Sequence, residues 1–278
     1  MIFVTAEGMH PGALAKKCEA LGFDLLVFTE HPVIPVTHRT PFPRGDGRIP
    51  DYYSRTVDPF VGLALAAAAT STIRIGTGIC LVPERDPIIT AKNVASVDYY
   101  SNGRFFFGIG AGWLADESEI MGVDFRRRWP MTREYIRAMK ELWTKDEASF
   151  SGEFVKFPPV RCFPKPVQKP HPPVVVGAAG ERALKNVAAI GDGWMPLQSK
   201  PEKLASDLVI LRKLCADAGR KFEDLEISVT MTGKTAPNPR DLIKQYADAG
   251  AVRLILNAEA LEAATAEREL ETMAKTWL

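Results

Sequence analysis

The sequence predicts an eightfold β/α barrel, and three observations carry that prediction. Strand and helix patterns alternate along almost all of the 278 residues, and each crossover is long enough to join parallel strands. The alternation amounts to eight strand–helix pairs. The first strand is not followed by the glycine fingerprint of a doubly wound sheet, which the same alternation would otherwise allow. We therefore expect one domain over residues 1–278, with its active site at the carboxyl ends of the strands.

Composition and charge are typical of an ordinary globular protein. Hydrophobic residues make up 46% and charged residues 25% of the chain, and the net charge is +1. No general electrostatic field therefore favours nucleic acid or a membrane surface. The cysteines are scattered, without the spacing of a zinc site, so we expect reduced thiols, no metal and a cytoplasmic location. The amino terminus lacks the pattern of a signal peptide, and no apolar stretch is long enough to span a membrane.

Capping residues and hydrophobic periodicity define the individual elements. Asp58 followed by Pro59 marks a helix start, and Gly22 and Gly250 mark helix ends. Strands are predicted at 2–6, 23–29, 74–81, 104–109, 174–176, 193–198, 225–231 and 251–257. Helices are predicted at 10–21, 59–70, 87–99, 129–143, 181–190, 201–218, 239–249 and 261–278. Residues 145–171, rich in proline, phenylalanine and lysine, are interpreted as an insertion between strands 4 and 5 that crosses the barrel rim.

The stretch from residue 172 to residue 194 is the most informative one. A run of β-branched residues at 174–176 is typical of a buried parallel strand. The run stops at four small residues before a helical pattern begins: Gly177, Ala178, Ala179 and Gly180. The backbone N–H groups and the dipole at such a helix start can bind an anion. Taken alone, a tight turn that simply needs small residues is an equally good interpretation. The placement of the turn after strand five, on the face where the other strand ends converge, favours the anion site.

A histidine and several glycines stand at the ends of the neighbouring strands. Strand two ends at Glu30 and His31, and an imidazole at a barrel mouth suits proton transfer at neutral pH. A surface-loop histidine is the alternative, and we favour that alternative for His38. Strands three and four end in small residues beside one tryptophan: Gly76, Gly78, Gly108, Gly110, Gly112 and Trp113. A broad, flat ligand across the mouth would explain the missing side chains, and packing glycines are the alternative. The arginines at 126 and 127 are interpreted as a solvated face.

Eight short motifs resemble the bacterial luciferase-like monooxygenase superfamily, in particular its deazaflavin-dependent oxidoreductases. The motifs are LGFD at 21–24, EH at 30–31, IRIGTG at 73–78, SNGR at 101–104, GIGAGW at 108–113, FPKPVQ at 163–168, PPV at 172–174 and GDGW at 191–194. Each motif is weak by itself, but their common order is specific for the family and the fold. The substrate is much less specified.

The resemblance implies a reduced flavin, or the deazaflavin coenzyme F420, lying across the mouth. It implies that His31 is the catalytic proton donor or acceptor and that a bulge with a cis peptide bond at Gly78–Ile79 backs the ring. The cofactor phosphate would be held by Gly177, Ala178, Ala179 and Gly180, with Gly110 and Gly112 lining the wall on that side. Glu30, Trp113 and Trp194 are further expected cofactor-binding residues. Met131 stands where a second arginine is usual, so Arg182 and Lys185 are the local candidates for the cationic partner.

These features predict hydride transfer between F420 and a small organic substrate. The alternative is a reduced-FMN-dependent two-component monooxygenase, and the second alternative is a non-catalytic flavin-binding barrel. A phosphate-binding barrel of unrelated chemistry is disfavoured, because its phosphate site usually follows strands seven and eight. Aromatic residues in the loop 31–58 and in the insertion are expected to cover the mouth and to favour an apolar or aromatic substrate: Tyr52, Tyr53, Phe154, Phe157 and Phe163. We also expect a separate reductase and a homodimer. Helix 60–69 is a candidate interface, although an ordinary barrel helix is the favoured interpretation.

Overall fold

The computed structural model describes residues 1–197, 199–232 and 235–278, and it confirms the barrel. Nine parallel strands form one nearly closed sheet in the order β10-β9-β8-β7-β4-β3-β2-β1-β11, and β5 pairs only with β6. The strands are β1 (Ile2–Phe3), β2 (Leu25–Phe28), β3 (Arg74–Leu81), β4 (Phe105–Gly110), β5 (Ala148–Ser151), β6 (Lys156–Val160), β7 (Val174–Val176), β8 (Gly193–Trp194), β9 (Glu226–Thr232), β10 (Arg253–Asn257) and β11 (Glu259–Ala260). The predicted sixth barrel strand ends at Gln198, which lies outside the described residues.

Helices surround the sheet and begin at the capping residues that the sequence indicates. They are α1 (Pro11–Ala20), α2 (Pro59–Ala69), α3 (Pro87–Tyr100), α4 (Ala115–Ile120), α5 (Arg128–Thr144), α6 (Glu181–Ile190), α7 (Pro201–Asp217), α8 (Pro239–Asp248) and α9 (Ala266–Trp277). The Asp58 carboxylate accepts the backbone N–H groups of Phe60 and Val61, as its N-cap position predicts. The short helix α4 was not predicted, and it positions a site residue. Within the described residues, no helix combines the length and the apolar character needed to cross a bilayer.

The barrel closes through the first residue of the chain. The backbone N–H of Ala258 donates to the Met1 carbonyl at 2.9 Å, and the Met1 ammonium donates to the Leu256 carbonyl at 2.7 Å. Burial lowers the pKa of this amino group to about 5. A largely apolar cavity of about 350 Å³ lies beside this seam, at the amino-terminal ends of β2 and β10. That end is opposite to the one where barrel enzymes carry their chemistry, so the cavity is not the candidate site.

The insertion lies between barrel strands β4 and β7, but most of it packs outside the barrel wall. The tip of its β5–β6 hairpin reaches the rim, where the Arg127 guanidinium lies over the Phe154 ring at 4.5 Å. The rest runs along α5, where Lys165 donates to the Leu142 carbonyl at 2.8 Å. Phe157 is buried against Phe150. The prediction that the insertion covers the mouth is therefore wrong for everything beyond its tip.

Candidate functional site

His31 and Glu117 form a buried ion-pair geometry at the barrel mouth. His31 follows β2, and Glu117 lies in α4, just beyond the end of β4. The His31 Nδ1 atom lies 2.7 Å from Glu117 Oε2, and their side chains are 7% and 0% exposed. The other Glu117 oxygen accepts the Val33 backbone N–H at 3.3 Å. Because Glu117 engages Nδ1, Nε2 is the ring atom available to exchange a proton with a ligand.

Aromatic rings from the loop 31–58 and from the end of β4 enclose this histidine. The His31 ring centroid lies 4.9 Å from that of Tyr53 and 6.0 Å from that of Trp113. Phe42 completes the group, 5.4 Å from Tyr53 and 5.5 Å from Trp113. The prediction that this loop covers the mouth is confirmed, and the space beside His31 has apolar, aromatic walls.

The side chain of Asp116 fastens the covering loop to α4. Its carboxylate accepts the backbone N–H groups of Arg39 and Thr40, both at 3.0 Å, and the Thr40 hydroxyl at 2.8 Å. The bond from the Arg39 backbone and the further bonds to Thr40 hold the pKa of Asp116 well below its usual range. His38 bonds locally to the Thr40 carbonyl at 2.7 Å, so it belongs to the loop and not to the site.

Glu30 is buried behind the mouth. Its carboxylate accepts the Leu81 backbone N–H at 2.7 Å and pairs with the Arg85 guanidinium, which also pairs with Asp58. These bonds tie the end of β2 to the end of β3 and to the start of α2. The predicted contact of Glu30 with the cofactor remains a prediction.

A further buried carboxyl, Glu84, was missed at the sequence level. It ends a short 3₁₀ turn that follows β3, and its Oε1 accepts the Ser118 hydroxyl at 2.7 Å. Its Oε2 has no hydrogen-bond partner among the described residues. Burial, and then the negative charge of Glu117, raise the pKa of Glu84 to about 8. Nothing in a Pro-Glu pair after a strand signals that its carboxyl will be buried.

The predicted bulge and the cis peptide bond at Gly78–Ile79 are confirmed. The peptide bond is cis, and the register between β3 and β4 shifts between Thr77 and Cys80. The Ile79 side chain fills the space that a Cβ atom would occupy at Gly110 and at Gly177. These two glycines therefore make room for the Ile79 side chain, as the interpretation of the strand-end glycines as packing residues predicts. Their direct contact with a cofactor remains a prediction.

The turn between β7 and α6 presents an open helix start. Gly180 is the N-cap, with φ +85°, and no side chain caps the helix. A Cβ atom at Gly180 would meet nothing within 4 Å. The Trp194 indole N–H donates to the Ala178 carbonyl at 2.8 Å, and Trp194 is fully buried. Trp194 therefore supports the turn, and its direct contact with a cofactor remains a prediction. The helix start keeps the geometry of an anion site.

Two arginines add positive charge beside this turn. Arg128 donates to the Gly112 carbonyl at 3.1 Å. The φ of Gly112 is +81°, a backbone conformation that favours glycine. Burial and the nearby Arg182 lower the pKa of Arg128. Across residues 1–197, 199–232 and 235–278, neither arginine has a carboxylate partner, whereas Lys185 pairs with Glu181 at 2.9 Å. The arrangement suits an anionic group bound between Arg128 and Arg182.

The interpretation of Arg126 and Arg127 as a solvated face is confirmed. Arg126 and Arg127 are exposed, whereas Arg128 begins α5 and turns inward. The position expected to hold a second arginine is occupied by Met131, but Arg133, two residues later, donates to the Asn186 side chain of α6 at 2.8 Å. The sequence alone could not separate these arginines, since only the start of α5 decides which of them faces the turn.

Three comparisons with known proteins show the family and the fold of the chain. The family model described as luciferase-like monooxygenase matches residues 10–277. An uncharacterised protein of Mycobacterium tuberculosis (strain H37Rv) is 39% identical over 279 residues, which cover 99% of this chain and 96% of that protein. The FMNH2-dependent dimethylsulfone monooxygenase of Pseudomonas putida is 28% identical over 155 residues, 55% of this chain and 42% of that protein.

A solved structure extends the likeness over the whole fold. It is an F420-dependent secondary alcohol dehydrogenase in complex with an F420–acetone adduct, and it superposes with a TM-score of 0.77. The two chains are 16% identical, and the match covers 99% of this chain and 96% of that one. At this identity, the likeness shows a shared fold.

Proposed function

Because the chain belongs to the luciferase-like monooxygenase family, we propose that this oxidoreductase uses coenzyme F420 to move a hydride to or from a small organic substrate. The observation that carries the proposal is the buried pair of His31 and Glu117 at the same mouth as the open start of α6. Hydride transfer at a carbon bearing oxygen requires a proton to move as well, and this pair can move it. The structurally similar alcohol dehydrogenase, which is described as F420-dependent, supports the choice of cofactor.

The residues at the mouth fit a phosphate-bearing tricyclic cofactor. The turn 177–180, Arg128 and Arg182 would hold the phosphate, because the open helix start presents backbone N–H groups and the two arginines add positive charge near it. The bulge at Gly78–Ile79 would back the ring. When bound, the cofactor supplies the redox chemistry, while the protein supplies position and charge.

His31 and Glu117 would carry out the proton transfer. With an alcohol substrate, His31 Nε2 takes the hydroxyl proton as the carbon loses its hydride, and Glu117 stabilises the imidazolium that forms. With an unsaturated acceptor, His31 returns a proton by the reverse step. The rings of Phe42, Tyr53 and Trp113 beside His31 favour an apolar or aromatic substrate and exclude water from the pair.

A two-component monooxygenase that uses reduced FMN is the second candidate. The specific observation in its favour is the FMNH2-dependent relative from Pseudomonas putida. The sequence shows no fingerprint of a nicotinamide cofactor site. A separate reductase would therefore supply the reduced cofactor for the monooxygenase or for reduction of a substrate by F420, whereas oxidation of an alcohol would need a separate enzyme that re-oxidises F420. A non-catalytic flavin carrier would need the turn at 177–180 but not the buried His31–Glu117 pair.

Titrating the protein separately with F420 and with reduced FMN distinguishes the F420-dependent enzyme from the FMN-dependent monooxygenase. We expect saturable binding of F420 and much weaker binding of FMN.

We propose that the enzyme is a cytoplasmic homodimer, joined through an outward apolar face on α2 and α3. Helix α2 packs one face into the barrel, as the sequence favours, but Val61 and Leu65 on its other face are 62% and 41% exposed. Ile89 on the neighbouring helix α3 is 60% exposed. Apolar side chains exposed on two packed helices are candidates for an interface between copies of the chain. Sedimentation should show a dimer that Leu65→Glu dissociates, whereas Val209→Glu on α7 leaves it intact.

A further inference from the structure

We propose that Glu84 is a neutral carboxylic acid in the working enzyme and a positioning residue for the His31–Glu117 pair. The protonation of Glu84 does not depend on a cofactor or on the proposed reaction. Its effect on turnover rests on the function proposed above, in which His31 moves a proton.

The surroundings of Glu84 favour the uncharged form. The residue is 5% exposed, and it lies at the carboxyl end of β3, on the catalytic face of the barrel. Ser118 supplies one hydrogen bond to Oε1, but Oε2 has no partner among the described residues. The backbone of Gly112 closes over the same carboxyl, because a Cβ atom there would lie 3.0 Å from Oε1. A buried carboxylate with one bare oxygen is costly, whereas a buried acid is tolerated.

The positively charged side chains near Glu84 form contacts with other groups, so Glu84 has no ion-pair partner among the described residues. Charged or titratable groups on the elements around it include Glu30 and His31 after β2, Asp58 before α2, Cys80 in β3, Arg85 and Asp86 before α3, Asp116, Glu117 and Glu119 in α4, and Arg128 and Tyr135 in α5. Of these, Glu117 and Glu30 act on Glu84 through their negative charge. The Arg85 guanidinium is already paired with Glu30 and Asp58. Arg128 is directed to the carbonyls of Gly112 and Phe125. Burial, and then the charge of Glu117, raise the pKa of Glu84 to about 8.

A neutral Glu84 leaves Glu117 as the carboxylate that acts on His31. Two carboxyl groups in one buried site commonly divide their roles in this way, with one protonated and one ionised. When Glu84 releases its proton to solvent at alkaline pH, a second negative charge appears beside Glu117. That charge holds the proton on His31 more tightly, so His31 becomes a stronger base and a weaker acid. Glu84 therefore acts through Glu117 and Ser118 and needs no contact with the substrate.

Infrared spectroscopy of the protein without cofactor tests the protonation directly. The carbonyl stretch of a protonated carboxylic acid should be present at neutral pH and disappear as the pH rises through about 8. The Glu84→Gln variant should lack this band. The control Glu119→Gln, on an exposed α4 residue that pairs with Arg39, should keep it. A band that survives in Glu84→Gln, or that is absent from the wild type at neutral pH, would overturn the proposal.

Nuclear magnetic resonance of His31 tests the coupling to the site. The chain has four histidines, so His31→Asn identifies the His31 signals. These signals should show a titration step near pH 8 that Glu84→Gln removes and that Ser118→Ala moves to higher pH, since the hydroxyl donor stabilises the ionised form. Ser118→Ala keeps the test available if Glu84→Gln does not fold. An unchanged step in the folded variants contradicts the proposal. Neither measurement requires a cofactor, so failure to bind F420 would count against the proposed function alone.

Discussion

The two sides of the barrel mouth differ in whether their charged side chains have partners within the protein. Beside β2 and β3, charges are buried and paired within the protein, as His31 is with Glu117. Beside β7 and α6, Arg128 and Arg182 lie near each other, and the described part of the chain offers them no carboxylate. A paired site is prepared for moving protons, whereas unpaired arginines at an open helix start suit an anion that arrives from outside. The difference indicates where the reacting end and the phosphate end of a ligand would lie.

Removing the imidazole tests the proton side most strongly. His31→Asn should lower kcat/KM about 10²- to 10⁴-fold, the usual contribution of a general acid or base. Cofactor affinity should stay unchanged, because the arginine side is intact. Steady-state kinetics together with a cofactor titration measure both effects, and His38→Asn in the covering loop is the matched control. A His31→Asn enzyme with wild-type rates would remove His31 from the site.

The buried acid on the same side should make folding stability depend on pH. The pKa of Glu84 is raised from 4.5 to about 8 in the folded protein. The native state therefore binds the extra proton, and stability falls as the pH rises from about 4.5 to about 8. Glu84→Gln should remove this fall, which amounts to at most about 5 kcal/mol. Urea unfolding of both proteins across this range measures the difference, and parallel stability curves would contradict the assignment.

A methyl group at Gly110 tests the packing that joins the two sides. Gly110→Ala should collide with the Ile79 side chain and destabilise the protein by about 1–3 kcal/mol. The second substitution Ile79→Ala should restore part of the loss, because it frees the same space. Chemical denaturation of the single and double variants measures the coupling. Strictly additive losses would mean that Ile79 is not the obstacle.

Neutralising one arginine tests the anion side, with the smallest expected effect. Arg182→Gln should weaken F420 binding about tenfold, as expected for one lost charge-assisted contact. Lys185→Gln, which removes a neighbouring charge already paired with Glu181, is the control and should change binding much less. Equal losses in the two variants would indicate a general electrostatic effect instead of a site.

The sequence predicted which strand ends form this mouth better than it predicted which side chains pair there. His31 could be predicted because strand order alone brings it to the catalytic face. Its partner Glu117 could not, because it lies on α4, a short helix without a clear periodic pattern. The small residues Gly110 and Gly177 were noticed, but only the structure shows that Ile79 needs their space. The aromatic insertion was misplaced, because composition does not show on which side of a helix a long segment packs.

The most direct test of the account is a titration of the wild-type protein with F420 and, separately, with reduced FMN. Fluorescence of the deazaflavin should show saturable binding that competing phosphate weakens, since the phosphate would lie between Arg128 and Arg182. His31→Asn should bind F420 with the same affinity, because His31 belongs to the opposite side. Binding of FMN alone would support the monooxygenase alternative. Binding of neither cofactor would contradict the division of the mouth into a proton side and a phosphate side.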